Sequence, residues 1–171
     1  MIKGEKVNLR EIESKDLAKM VEWRNKDRIR KCFFNQELLI PEKQKKWFDE
    51  YLKKDDDKIF IIETKDGISV GTIGLKDIDL EEGKAELGRM VIGEDDYLGQ
   101  GLAKNACLML INYAFNEMNL KNLCLEVFAD NKKAVNLYEK CGFSERIGER
   151  FVSINNNRYA IITMTFLGDR I

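Results

Sequence analysis

The chain has 171 residues, enough for one domain with its own core, and 29 basic against 30 acidic side chains leave a net charge of -1. So even a balance gives no field that would recommend nucleic acid or a membrane surface as a partner. There is no histidine, which excludes serine–histidine and cysteine–histidine catalysis and histidine-ligated zinc. Acid–base work must then fall to carboxylates, tyrosine, lysine or cysteine.

In chain order, residues 7–12 ("VNLREI") alternate apolar and polar and predict a strand. Ser14 then caps an expected helix with Leu17, Met20 and Val21 on one face. Residues 24–39 are expected to be irregular and basic. Pro41 suits the first turn of a second helix, whose apolar side would be Trp47, Phe48, Tyr51 and Leu52. Strands over 58–64 and 69–76 are joined by a tight turn at Asp66-Gly67, and a further strand covers 85–92. A helix with an apolar stripe follows, to about Asn119, then a strand over 123–129 and a capped helix ending at Gly142. Two last strands flank "NNN" at 155–157. Hairpin strands followed by strand–loop–helix–strand–helix–strand predict an α/β chain with a mixed, mostly antiparallel sheet and helices on both faces.

Residues 1–171 are expected to form a single domain, for there is one proline, no Ser/Gly-rich tract and no repeat. The first thirteen residues are charged, unlike a leader, and the apolar run at 106–111 is too short to span a bilayer. A cytoplasmic protein, monomer or homodimer, is expected. Cys32, Cys107, Cys124 and Cys141 form no CxxC pair, so they read as reduced thiols, three of them structural, and no metal site is expected.

Two glycines, Gly99 and Gly101, stand between the strand ending at 92 and the helix that follows. Glycine reaches positive φ cheaply and lets backbone approach a ligand. A helix N-terminus offers about four unpaired N–H groups and roughly half a positive charge. Together they suggest a main-chain cradle for phosphate or diphosphate. The GxxxxGK[ST] pattern does not fit, and GxGxxG fails because Lys104 stands at its third glycine. A plain turn is the alternative.

"DYLGQGLAKNACLMLINYAF" followed by "LCLEVFADNKKAVNLYEKCGF" resembles the GNAT N-acetyltransferases, over roughly residues 5–167. The family's [Q/R]xxGx[G/A] here begins with Asp96, as in the branch of ribosomal-protein N-terminal and spermidine acetyltransferases. The second motif runs from Asn131 through Ala134 and Tyr138 to Gly142-Phe143. The resemblance implies acetyl-CoA as cosubstrate. Backbone of Met90, Val91 and Ile92 would pair with its pantetheine arm, and N–H groups of Leu98, Gly99, Gln100, Gly101, Leu102 and Ala103 would hold its diphosphate. Asn131 would contact the cofactor arm, and Tyr138 would face the thioester sulfur.

Acetyl transfer to an amine needs a base for the ammonium and an acid for the departing thiolate. Tyr138 is the expected acid, or else a core tyrosine. Glu126 is the first choice of base, since Cys124 and Phe128 share its strand face and burial would raise its pKa. The alternative is an ordinary ion pair. Glu86, on the preceding strand, is the reserve, through a water.

In this family the first helices roof the acceptor cleft. Here that region carries Arg24, Lys26, Arg28, Arg30 and Lys31 against Asp27 alone, with Trp23 before and Phe33-Phe34 after. A cationic, aromatic roof suits an anionic, ring-bearing acceptor; a solvated basic face is the alternative. The segment also resembles the "WRN…R" region of amino-sugar-nucleotide N-acetyltransferases, although Gln44 stands where those often have a histidine. Trp23, Arg24, Asn25, Arg30 and Glu86 are thus the expected acceptor-binding residues for a small-molecule amine. Two other readings stay open. One is a polyamine or protein N-terminus, the former favoured by the acidic stretch 76–86. The other is a non-catalytic acyl-CoA sensor.

Overall fold

The computed structural model describes residues 1–167, and of Glu145 only the backbone. Eight strands form one sheet in the order β1-β2-β3-β4-β5-β6-β8-β7. They are β1 (Ile2–Lys3), β2 (Val7–Glu11), β3 (Lys58–Thr64), β4 (Ser69–Asp79), β5 (Lys84–Ile92), β6 (Asn122–Phe128), β7 (Phe143–Ile154) and β8 (Asn157–Phe166). Every neighbouring pair is antiparallel except β5 and β6, which run parallel across a helical crossover. The mixed, mostly antiparallel sheet expected from the sequence is present.

Both faces are covered. Helix α4 (Leu102–Asn116) and helix α5 (Lys132–Glu139) close a core with Leu9, Phe60, Ile62, Leu87, Leu110, Leu125 and Phe143. On the other face, α1 (Leu17–Asn25), the short α2 (Asp27–Arg30) and α3 (Pro41–Tyr51) bury Trp23, Ile29 and Phe48 on Ile59, Ile61 and Val91. Strand β3 alternates between the two cores, as a period of two requires when both faces are dry.

Local chemistry departs from expectation in three places. Ser14 does not cap a helix; Ser14–Asp16 form a 3-10 turn, and Asp16 accepts the Glu13 N–H at 2.7 Å. The segment 24–39 is not wholly irregular, since α1 runs to Asn25 and α2 follows at once. Leu52 lies past the end of α3 and is 64% exposed, while Gln44 takes a place on that helix's buried face.

Strand β5 carries the feature that shapes the site. Its pairing with β4 shifts register between Thr72↔Val91 and Gly74↔Gly88, and Arg89 absorbs the extra residue at φ 53°. The bulge flips the side-chain phase. Ala85 and Leu87 face the α4–α5 core before it, and Met90 and Ile92 face that core after it. Pairing of β5 with β6 stops at Glu86↔Cys124. Beyond that point the two strands part, and the β6-facing edge of β5 has no strand partner.

Candidate active site

The loop entering α4 is built as the glycines suggest. Gly99 and Gly101 have φ of 75° and 76°, and Gly101 is the N-cap of α4. A Cβ at Gly99 would meet nothing within 4 Å, and one at Gly101 would meet only the Lys6 ammonium at 3.6 Å. These glycines are therefore there for φ and for open approach, not for packing. Within the described residues, the backbone N–H groups of Gly99, Gln100, Gly101, Leu102, Ala103 and Lys104 donate to no protein acceptor. Leu98 differs. Its N–H closes the turn Asp95–Tyr97 by donating to Asp95 O at 3.2 Å, so it is removed from the expected cradle. Six open amides at the mouth of a fifteen-residue helix, with Lys6 beside them, fit a diphosphate.

Where β5 and β6 part, Glu86, Cys124 and Glu126 share one face. The two carboxylates are held differently. Arg150 grips Glu126 with both ends of its fork, Nε to Oε1 at 2.8 Å and Nη2 to Oε2 at 2.7 Å. These bonds lower the Glu126 pKa, opposite to the rise expected from its strand neighbours. The ion-pair alternative prevails for Glu126, because Arg150 reaches it from β7, which no local pattern could show. Glu86 is raised above the usual carboxylate range, by burial first, against a single bond from Lys76 at 2.9 Å.

Tyr138 is 8% exposed and packs edge-on to Phe143 within the α4–α5 core. Burial and the nearby thiols of Cys107, Cys141 and Cys32 push its pKa well above that of free tyrosine. Cys107 and Cys141 lie below the sheet among core residues, whereas exposed Cys32 follows α2 on the opposite cover. Asn131 has a structural task first, since its Oδ1 caps α5 by accepting the Ala134 N–H at 3.2 Å.

Between α1, α3 and the sheet lies a cavity of about 310 Å³. Trp23, Phe33, Trp47 and Met20 give it apolar walls, and Arg24, Lys43 and Arg89 its charges; no carboxylate lines it. Arg89 is already bound by buried Asp57. Arg24 is not neutralised. It lies 3.6 Å above the Phe33 ring, gives Nη2 to Asn35 O at 2.7 Å, and leaves Nη1 without a partner among the described residues. Burial drives its pKa down to about 10, the mark of a cation lacking a counter-charge.

Residues 6–144 match the family described as acetyltransferase (GNAT) domain. The chain belongs to the GNAT acetyltransferases. It is an acetyl-CoA-dependent N-acetyltransferase. It is 29% identical over 138 residues to spermidine N(1)-acetyltransferase of Escherichia coli strain K12, covering 81% of this chain and 73% of that one. A putative ribosomal N-acetyltransferase of Bacillus subtilis strain 168 is 28% identical over 154 residues, covering 83% and 80%. In fold it matches the crystal structure of spermidine N-acetyltransferase from Vibrio cholerae in complex with CoA and spermine, with a TM-score of 0.86 at 24% identity over 94% and 95% of the chains. Among the described residues no helix is long and apolar enough to cross a membrane.

The structure redistributes several residues expected to serve this acetyltransferase. Trp23 does line the cavity, but it is 1% exposed, and its indole donates to Glu94 at 3.1 Å while packing over Gly93, where a Cβ would collide. Asn25 does not reach the cavity; its amide braces Leu39 by donating to its O and accepting its N–H, both at 2.8 Å. Arg30 pairs with Asp27 at 2.5 Å and is also absent from the cavity wall. The carbonyl of Ile92 is taken by Arg28 Nη1 at 3.0 Å, and that of Gly93 by Arg28 Nη2 at 2.9 Å and Lys26 Nζ at 2.8 Å. Sequence reasoning missed this bracing of the end of β5 by two roof cations. The sole local hint was Glu94-Asp95 following Gly93, a pair of acids that calls for cations. The acidic turn of 76–86 is largely self-satisfied, with Lys84 on Glu82 and Lys76 on Glu86 and Asp77.

Proposed function

We propose that this acetyltransferase acetylates a primary amine on a small acceptor that also carries an anionic group and a ring, by direct attack on the thioester. Acetyl-CoA supplies the activated acetyl group. The amides of Gly99 through Lys104 bind its diphosphate, and the unpaired edge of β5 at Met90 and Val91 lies along its arm. Glu86, at the fork of β5 and β6, takes the ammonium proton, directly or through a water; its raised pKa brings it nearer the working range of a base. Glu126, tied to Arg150, shapes that pocket by its charge. Tyr138 stays protonated and donates a hydrogen bond to the developing thiolate. A phenol more weakly acidic than a thiol supports the sulfur rather than handing over its proton completely.

The observation that carries the acceptor class is Arg24, an uncompensated guanidinium over a cavity without a carboxylate. A cation placed there would meet repulsion, and an anion would restore the missing pairing. A cavity of this size takes one ring and its substituents, so a nucleotide-linked amino sugar would leave most of its length outside. The second reading, a polyamine, is favoured by the spermidine acetyltransferases among the relatives. Release of free CoA thiol should be followed across a panel of ring-bearing amines, with and without a carboxylate or phosphate, beside spermidine. Preference for the anionic amines, lost in Arg24→Met, is the expected result. Preference for spermidine retained in that variant would refute it.

A further inference from the structure

One polar group of the cavity is used by neither the cofactor cradle nor the acid–base pair. Gln44 is 8% exposed and lies on α3, lining the cavity together with the two tryptophans. Its carboxamide makes no hydrogen bond to any described residue. Of the other polar groups of the wall, Thr72 Oγ1 donates to Arg89 O at 2.8 Å and Arg89 is clamped by Asp57, while Arg24 and Lys43 supply positive charge rather than a paired donor and acceptor. A carboxamide that opens onto the cavity with donor and acceptor unused by any described residue, in a wall of indole and phenyl rings, is a recognition element for a complementary ligand edge.

We propose that Gln44 is a specificity-determining residue that reads an amide-type edge on the acceptor. The carboxamide offers N–H and C=O from neighbouring atoms, so its best partner offers C=O and N–H in the same way: a secondary amide, a lactam or an N-acyl group. The apolar body next to that edge packs on Trp23, Trp47 and Phe33, and the acceptor's anionic group answers Arg24. The acceptor class narrows accordingly to amines that bear an amide beside a ring or comparable apolar body, together with a carboxylate or phosphate. This rests on the reading of the cavity as the acceptor site. A site built to hydrogen-bond its ligand discriminates strongly against an analogue that leaves the site's polar group unpaired.

Both tryptophans of the chain line this cavity, so their emission reports its occupancy. The full chain should be titrated with hippurate (ring, amide and carboxylate), 4-phenylbutyrate (ring and carboxylate) and spermidine. Hippurate is expected to bind at least ~10-fold more tightly than 4-phenylbutyrate to the wild-type protein. Gln44→Leu should abolish that difference, Gln44→Asn should keep part of it, and calorimetric CoA binding should be unchanged in both. Equal binding of the two carboxylates to the wild-type protein, no binding of hippurate, or a preference that survives Gln44→Leu with CoA binding intact would each overturn the proposal. Preferential turnover of spermidine, which carries no amide, would overturn both the anionic acceptor and the Gln44 assignment, whereas equal turnover of anionic ring-bearing amines with and without an amide would overturn the Gln44 assignment alone.

Discussion

Glu86 and Glu126 stand on neighbouring strands and one face, yet their surroundings push their pKa values in opposite directions. Removing Glu86 as Gln should cost about 10²-fold or more in kcat and erase the acidic limb of the pH–rate profile. Glu126→Gln should leave that limb in place, because a carboxylate held below its usual range by Arg150 is already ionised where the enzyme works. Stability separates them too. A folded pKa above the unfolded value of about 4.3 means the Glu86 contribution is present below that pH and lost as pH rises through the folded value. The Glu126 contribution is present above that value and lost as pH falls. The melting temperature of Glu86→Gln relative to wild type should therefore improve from pH 4 to pH 7, and that of Glu126→Gln should worsen; calorimetry at the two pH values decides. Tyr138→Phe removes only the hydroxyl and should lower kcat at least ~10-fold with CoA affinity retained, as steady-state rates beside binding isotherms would show.

At the scale of elements, two backbone irregularities make the site. The left-handed glycines turn the chain so that six amides point outward, and the bulge at Arg89 reverses the phase of β5. Gly99→Ala meets no steric obstacle, but its φ of 75° makes alanine cost about 1 kcal/mol in stability. Because the strain falls within the cradle, CoA affinity should drop by about 10-fold or more while the fold persists, as calorimetry alongside circular dichroism would register. The roof is fastened as an element as well. Lys26 and Arg28 hold the carbonyls at the end of β5, and Lys19 holds Glu94 at 2.6 Å. Much of the positive charge of the segment is thus internal bracing, and of its five cations Arg24 alone lines the cavity.

For the whole molecule, the sheet separates the two candidate regions: the open amides at the entrance of α4, where the proposed function puts the cofactor, and on the other face the cavity between α1 and α3, where it puts the acceptor. A ligand that binds only the folded state must raise its stability by mass action. Acetyl-CoA at a hundred times its Kd should add about 2.7 kcal/mol, or roughly 5–10 °C in Tm for a chain of this length. No shift, with the protein demonstrably folded, would contradict the cradle.

Periodicity, caps and glycine placement are short-range properties, and they were enough to find strands β2 to β8, helices α4 and α5, the Asp66-Gly67 turn and the positive-φ glycines before α4, but not β1 or α2. The absence of histidine narrowed the acid–base candidates to groups that the site does contain. Which glutamate keeps its freedom was beyond the sequence, because Arg150 reaches Glu126 from a strand 24 residues away, across β8. The same holds for the five roof cations, four of which lie outside the cavity wall while Arg24 forms part of it. It holds also for Gln44, a polar residue in a helical stretch until the fold sets it against two indoles. Local chemistry determined most of the elements and the left-handed glycine loop before α4; only the packing of distant strands and helices decided which charged and polar side chains pair, since pairing depends on distance in space and not on spacing along the chain.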